Sequence, residues 1–431
     1  MTKLSRLIIL LATLWGVCGR ADAGITLDYC LQRAETNYPL IRKYGLVERT
    51  AELDLAEINR GWLPRLGLSA QATVQNVVPS FPDAFKGLMG PASATMRGMG
   101  HLQYKAVLDV TQTIWDGGAS KAQRGVARAT AAQNEAAIAV EMYAVRQRVE
   151  NLFFGILLMD AQMRQTSASI ALLESSHGRL VAMVANGVAM QADADMVEAQ
   201  CLTMRQHLAE ARSVAGSYRQ LLGIYIGEDP GDAPLELPKA DLPVATGQPD
   251  RPELNFYDTQ LQLTEARRKA LDTSVMPRIG FFAQAYYGYP GINYFESMMK
   301  RNLSFNALAG VKVSWNIDSF YTRGTSREKL SLSAGMVRAD REIFLFNTRL
   351  ESTRNIAEID GLRDVMREDT RIVELRENVR RSAEAQLSNG VIDATALLAK
   401  ITDENQARLT ASYHEIQLVQ YIYQLKHTLN R

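Results

Sequence analysis

Pro64-Arg65-Leu66-Gly67-Leu68-Ser69-Ala70-Gln71-Ala72 reappears later in the chain as Pro277-Arg278-Ile279-Gly280-Phe281-Phe282-Ala283-Gln284-Ala285, identical at six of nine positions. The stretch alternates apolar with small or polar residues, which is the period of a strand. Its reappearance marks an internal repeat. Three more anchors keep the same order: Pro39 with Pro252, Trp115-Asp116-Gly117 with Ile317-Asp318-Ser319, and Asn186-Gly187-Val188 with Asn389-Gly390-Val391. The chain thus divides into a first repeat over 24–225, a Pro-, Gly- and Asp-rich linker over 226–250, and a second repeat over 251–431.

Each repeat offers two strands, within hairpins expected at 64–116 and 277–318. Leu66, Leu68, Ala70, Ala72 and Val74 share one face; Leu102, Tyr104, Ala106, Leu108 and Val110 repeat the pattern. In the second repeat Phe281, Ala283, Ala285 and Tyr287 alternate likewise, as do Phe305, Ala307, Ala309, Val311 and Val313. Lys105, Asp109 and Lys312 fall on the polar side and mark it as the wall of a wet lumen. A period of two over about ten residues, broken in the second run at Val107 and Gln112 and with aromatics near the ends, describes a transmembrane strand. A half-buried strand of a soluble sandwich alternates in the same way. An export signal and the lack of further strands favour the membrane. Four strands cannot close a barrel, which needs at least about eight, and open edges are not tolerated in lipid. The missing strands must come from other copies: two copies give eight, three give twelve. Between the strands lie turn-rich loops, Pro79 to Gly100 and around Tyr289 to Lys300, expected to face the exterior. Their methionines, Met89, Met96 and Met99, read as adaptable filler rather than as a soft-metal site.

The remainder is helix. From Gly118 to about Asn186 there is no proline, and Ile138, Met142, Val145, Val149, Leu152, Ile156, Met159 and Met163 recur at coiled-coil spacing, followed by Ile170, Leu173, Leu180 and Val184. Nearly seventy residues make a rod of about 100 Å. A matching helix is expected from about Arg323 to Ser388, and shorter helices near 26–60 and 250–275. Both rods reverse at Asn-Gly-Val, a helix-stopping signal. Helical hairpins follow over 118–225 and 323–431. Asp193 and Asp393 lie just past the reversals, placed to cap the returning helices.

Lys3 and Arg6 precede an apolar run from Leu7 to Val17, too short to span a bilayer, and Ala21-Asp22-Ala23 follows. Residues 1–23 read as a cleavable secretory signal. Acylation at Cys18 is the rival, against which Trp15-Gly16-Val17 is a poor lipobox. Removing the signal takes the formal charge from +1 to −1, so the chain has no electrostatic footprint for nucleic acid. Cys30 and Cys201 alone remain, which is no disulfide framework. No apolar run approaches the length of a membrane helix.

An enzyme is not expected. His101, His177, His207, His414 and His427 are dispersed, none at metal-ligand spacing. Gly117-Gly118 follows a strand but lacks the rest of a phosphate loop, including its lysine. No cofactor or metal is implied.

At these residues the chain resembles the TolC-like outer membrane efflux proteins. The resemblance rests on Thr26-Leu27, Asn37-Tyr38-Pro39-Leu40, Leu63-Pro64-Arg65-Leu66, Gln112-Thr113-Ile114-Trp115-Asp116-Gly117-Gly118, the two Asn-Gly-Val reversals and the tandem repeat, and it covers essentially the whole mature chain. It implies an α+β membrane protein: a homotrimer with a twelve-stranded β-barrel continued by a periplasmic α-helical barrel. It also implies the exit duct of a tripartite efflux or type I secretion system. The partners would be outer-membrane lipid, a periplasmic adaptor, and an inner-membrane transporter of the RND, ABC or a related type. Docking and gating then fall to the tips, Asn186, Gly187, Val188, Ala189, Asn389, Gly390, Val391 and Ile392. The best-known members close this end with aspartates six and nine residues after the second tip glycine; here those positions are Ala396 and Ala399. Asp193, Asp195 and Asp393 are the carboxylates available for a constriction, and Asp193 and Asp393 equally suit helix capping. A periplasmic coiled-coil tether that conducts nothing explains the rods but not the alternating strands.

Overall fold

The computed structural model describes residues 24–88, 90–243 and 249–430. The expected signal at 1–23, with Cys18 and the cleavage point after Ala23, lies outside the described residues, as does part of the linker. In chain order the elements are α1 (Leu27–Asn37), α2 (Ile41–Arg60), β1 (Arg65–Val74), α3 (Asp83–Leu88), β2 (Leu102–Trp115), α4 (Ala119–Ala185) and α5 (Gln191–Ile226). They continue with α6 (Pro252–Asp272), β3 (Arg278–Tyr289), α7 (Tyr294–Lys300), β4 (Ser304–Ser314), α8 (Ser319–Ser388) and α9 (Ala394–Leu429). The segment near 26–60 comes as two helices. Pro39, which has no N–H to give and keeps the preceding residue out of helical conformation, parts them.

The chain packs as two compact units that cut across the sequence repeats. One takes the residues up to Lys43, Ile138–Leu254 and those from Glu342 onward; the other takes Tyr44–Ala137 and Asn255–Arg341. The first unit is helical. Val145, Val149, Phe153, Phe154, Ile156 and Leu157 of α4 bury against Leu27, Cys30 and Leu31 of α1, Leu222 and Ile226 of α5, and Ile416 and Val419 of α9. The 3.5-residue stripe supplies Val145, Val149 and Ile156. Phe153 and Phe154 lie off it and are buried because α1 and α5 add further layers on α4. A second core nearer the helix reversals joins Ile170, Leu173 and Leu180 of α4 to Val197 of α5, Leu387 of α8, and Leu397 and Ile401 of α9. Ile25 bridges to Leu235 as a short parallel pair. The half-buried Arg219 guanidinium reaches Asp160 at 2.9 Å and the Ala233 carbonyl at 2.8 Å, tying the chain after α5 back to α4. Burial pushes the Cys30 thiol up to about 11, with the Glu228 carboxylate adding to the shift, so it stays an inert core thiol.

The second unit is built on one antiparallel sheet in the order β1-β2-β3-β4. The pairing of β2 with β3 joins the strands of the two repeats into a single sheet. A bulge at Thr113/Trp115 shifts the register of that pairing at its last rung, next to the turn into α4. There the Asp116 carboxylate accepts the Gly118 and Ser120 N–H groups at 2.9 and 2.6 Å, capping α4. Burial works against its charge, but the bonds from Ser120 and Gly118 outweigh it and hold the carboxyl below its ordinary range. Gly117 sits at φ +70°, and a Cβ there would fall 2.5 Å from Met276 Cβ, so both backbone and space demand glycine. The loops are not structureless: Phe81, Met99 and Met298 form a small buried core, and the Arg301 guanidinium donates to the Arg97 and Gly98 carbonyls at 2.8 and 3.0 Å. Met99 and Met298 pack there as apolar filler.

Candidate functional site

The candidate residues fall into two sets, one in each unit. In the helical unit, both reversals use the same local device. The Val188 N–H bonds to the Met183 carbonyl at 2.9 Å and the Gly187 N–H to that of Val184 at 3.0 Å. The Val391 and Gly390 N–H groups bond to Gln386 and Leu387 at 2.9 and 3.0 Å. These paired bonds are a Schellman closure, whose left-handed residue is usually glycine, and Gly187 and Gly390 both stand at φ +70°. Asn186 and Asn389 each donate from Nδ2 to a carbonyl one turn back, Ala182 and Ala385, at 2.8 Å. Val188 and Val391 at the two turns are left exposed, 66% and 70%.

The carboxylates past the tips differ between the two copies. Asp393 is the cap of α9, accepting the Ala396 N–H at 2.8 Å. In the first copy Met190 holds the cap position, and Asp193 reaches back three residues to accept the Met190 N–H at 3.1 Å. Asp195 accepts from the Gln191 side chain at 2.7 Å. Thr395 and Met196 meet at 3.5 Å, so the starts of the two return helices lie side by side.

In the strand unit the register sorts every strand residue onto one of two faces, because directly opposed residues share a face. Leu66, Leu68, Leu108, Phe281, Phe305, Val311 and Val313 lie on one and are exposed. The other carries Lys105 opposite Gln71 and Gly288, Asp109 opposite Gly67 and Gln284, and Lys312 opposite Gly280. Gln284 Nε2 donates to Asp109 Oδ1 at 2.7 Å, and Lys105 Nζ lies 5.7 Å from the Tyr286 ring centre. Arg65 and Arg278, which the sequence reading noticed only as part of the repeated motif, stand on this same polar face. Their parity relative to Gln71 and Gln284 was the signal for that. Among the described residues β1 and β4 each have a partner on one side only, which leaves the sheet two open edges.

Among the described residues no group of three or more His, Cys, Asp and Glu side chains is placed to hold a metal, and no helix is long and apolar enough to cross a membrane.

No family model matches the sequence. No curated protein matches it either. Solved structures do match in fold. A membrane protein from Pseudomonas aeruginosa is similar over 94% of this chain and 90% of its own, with a TM-score of 0.71 at 16% identity. The CmeC outer membrane channel of Campylobacter jejuni covers 94% of this chain and 85% of its own, with a TM-score of 0.69 at 12% identity. The outer membrane protein VceC of Vibrio cholerae covers 94% and 95%, with a TM-score of 0.68 at 12% identity. The fold is that of TolC-like outer-membrane channels.

Proposed function

We propose that the chain is one subunit of an outer-membrane exit duct. Three copies join their sheets edge to edge into a twelve-stranded barrel, apolar face to lipid and polar face to a wet lumen, and the helices continue as a periplasmic α-helical barrel. One observation carries this reading: a sheet of four strands whose apolar face is exposed and whose two edges are unpaired. Lipid tolerates no open edge, because an unbonded N–H or C=O costs several kcal/mol there. Among the described residues nothing covers that face or pairs with those edges.

The two Schellman tips, with their exposed valines, are the surface offered to a periplasmic adaptor that links the duct to an inner-membrane transporter of the RND, ABC or a related class. The same tips form the inner constriction, where the carboxylates at hand are Asp193, Asp195 and Asp393, each already hydrogen-bonded at a helix start. The duct passes solutes outward without chemistry of its own, as part of an efflux or type I secretion assembly. The two repeats supply two hairpins and two tips per subunit.

The test is the mass of the mature protein extracted from outer membranes in mild detergent, corrected for bound detergent. Three chains per particle is the expected result. A stable monomer would overturn the barrel and leave a non-conducting periplasmic tether.

A further inference from the structure

The polar face of the sheet is unevenly charged. Four cations stand on it, Arg65, Lys105, Arg278 and Lys312, against one carboxylate, Asp109, which is already held by Gln284. Arg65, Lys312 and Arg278 occupy three successive same-face rungs at the end of the sheet where β2 leads into α4. Arg65 is level with Thr111, Lys312 with Gly280 and Thr113, and Arg278 with Ser314. Same-face rungs are about 7 Å apart along a strand, so the three lie within about 14 Å of strand length.

Arg278 and Lys312 are diagonal neighbours on adjacent strands, a position where side chains still feel each other and like charges repel. No acid pairs with them directly: among the described residues neither forms an ion pair, and nor does Arg65. With Arg65 and Arg267 they line a cleft of about 1050 Å³. Its three carboxylates are Asp54 and Glu57, both on α2, and Asp116, which faces the start of α4. A packed surface optimised for stability alone would interleave its charges. Here Arg278 and Lys312 stay without a direct ion pair among the described residues, and the cleft holds four cations to three carboxylates.

We propose that this face is an anion-selective surface, and that the duct favours small anionic solutes over cations of similar size. The inference rests on the duct reading, since it needs the polar face to line the lumen. Closing the barrel from identical copies turns each cation into a ring, and rings of Lys and Arg select anions in pores. Arginine keeps its charge at every physiological pH, so Arg65 and Arg278 make the preference insensitive to pH. Gly280, opposite Lys312, leaves that side chain unscreened by bulk from the next strand.

The experiment is the reversal potential of the purified oligomer in a planar bilayer under a gradient of potassium chloride. Chloride should permeate more readily than potassium. In the Arg278→Gln/Lys312→Gln double variant the chloride-to-potassium permeability ratio should drop by about threefold or more, with Lys312→Gln alone giving a smaller shift in the same direction. Both substitutions fall on exposed side chains, and an unchanged oligomer mass checks that assembly is intact. A conducting wild type that prefers potassium, or a ratio unmoved in both variants, overturns anion selectivity and leaves the duct standing. No conductance from the wild-type oligomer sinks the duct reading and this inference with it.

Discussion

The two units of this chain are finished to different degrees. In the helical unit Phe153, Ile156, Leu222 and Ile422 are fully buried, and α1, α4, α5 and α9 cover one another's apolar faces. In the strand unit every residue of β1 is exposed, Leu68 to 82%. Isolated exposed leucines are ordinary, but a continuous apolar sheet face with open edges is not. The contrast separates what the described residues satisfy among themselves from what they leave open. A helix closes its own backbone bonds, so helices need only side-chain partners. A sheet leaves its edges to a neighbour, and an apolar sheet face needs a second layer or lipid.

The largest way to sharpen this contrast is to open a cavity where the chain is complete. Phe153→Ala should lower stability by about 3–5 kcal/mol, seen as an earlier loss of helical circular dichroism in denaturant. A cost below about 1 kcal/mol would mean that the α1–α4 core is not close-packed. Leu68→Arg tests the incomplete side. It should cost each inserted chain about 2–4 kcal/mol near the bilayer midplane, read as depletion from the outer-membrane fraction, while the helical core melts as before. Equal insertion of variant and parent would show that this face does not meet lipid.

The smallest effect is a pH signature of the helical unit. Burial lifts the Glu150 carboxyl to about 7, partly opposed by Arg146, and burial together with Arg251 lowers His427 to about 4. Folded Glu150 holds its proton where the unfolded chain releases it, so its effect on stability is favourable below about 4.5 and is lost as pH rises through 7. Folded His427 stays neutral where the unfolded chain takes up a proton, so stability is lost as pH falls from 6.5 towards 4. Between pH 4.5 and 6.5 the two slopes oppose each other. Glu150→Gln removes one of them. Relative to the parent, the variant should gain up to about 3 kcal/mol between pH 5 and pH 8, measured by denaturant unfolding at each pH. A difference that does not change with pH would mean that Glu150 is solvated.

Much of the fold was legible because its signals are local and periodic. Four alternating runs correspond to β1, β2, β3 and β4, proline-free stretches to α4 and α8, and Asn-Gly-Val to both helix reversals. The reversals at Asn186-Gly187 and Asn389-Gly390 were readable for the same reason, since a left-handed closing residue selects glycine wherever it occurs. The cap of α5 was less so. Asp193 has the right chemistry, yet Met190 holds the cap position and Asp193 supports it from three residues on.

Sequence by itself determined the alternation of the strands, the length of the long helices, the sites of reversal and the polarity of each strand face, all set by neighbours a few residues away. Tertiary structure alone decided that β2 pairs with β3, which turns two hairpins into one sheet. It also decided that Phe153 and Phe154 are buried off the coiled-coil stripe, and that Arg65 and Arg278 join Lys312 on a single face. Those facts depend on register and packing between segments as far apart as Arg65 and Lys312. A period read along one strand gives each side chain a face but does not say which distant strand will share it.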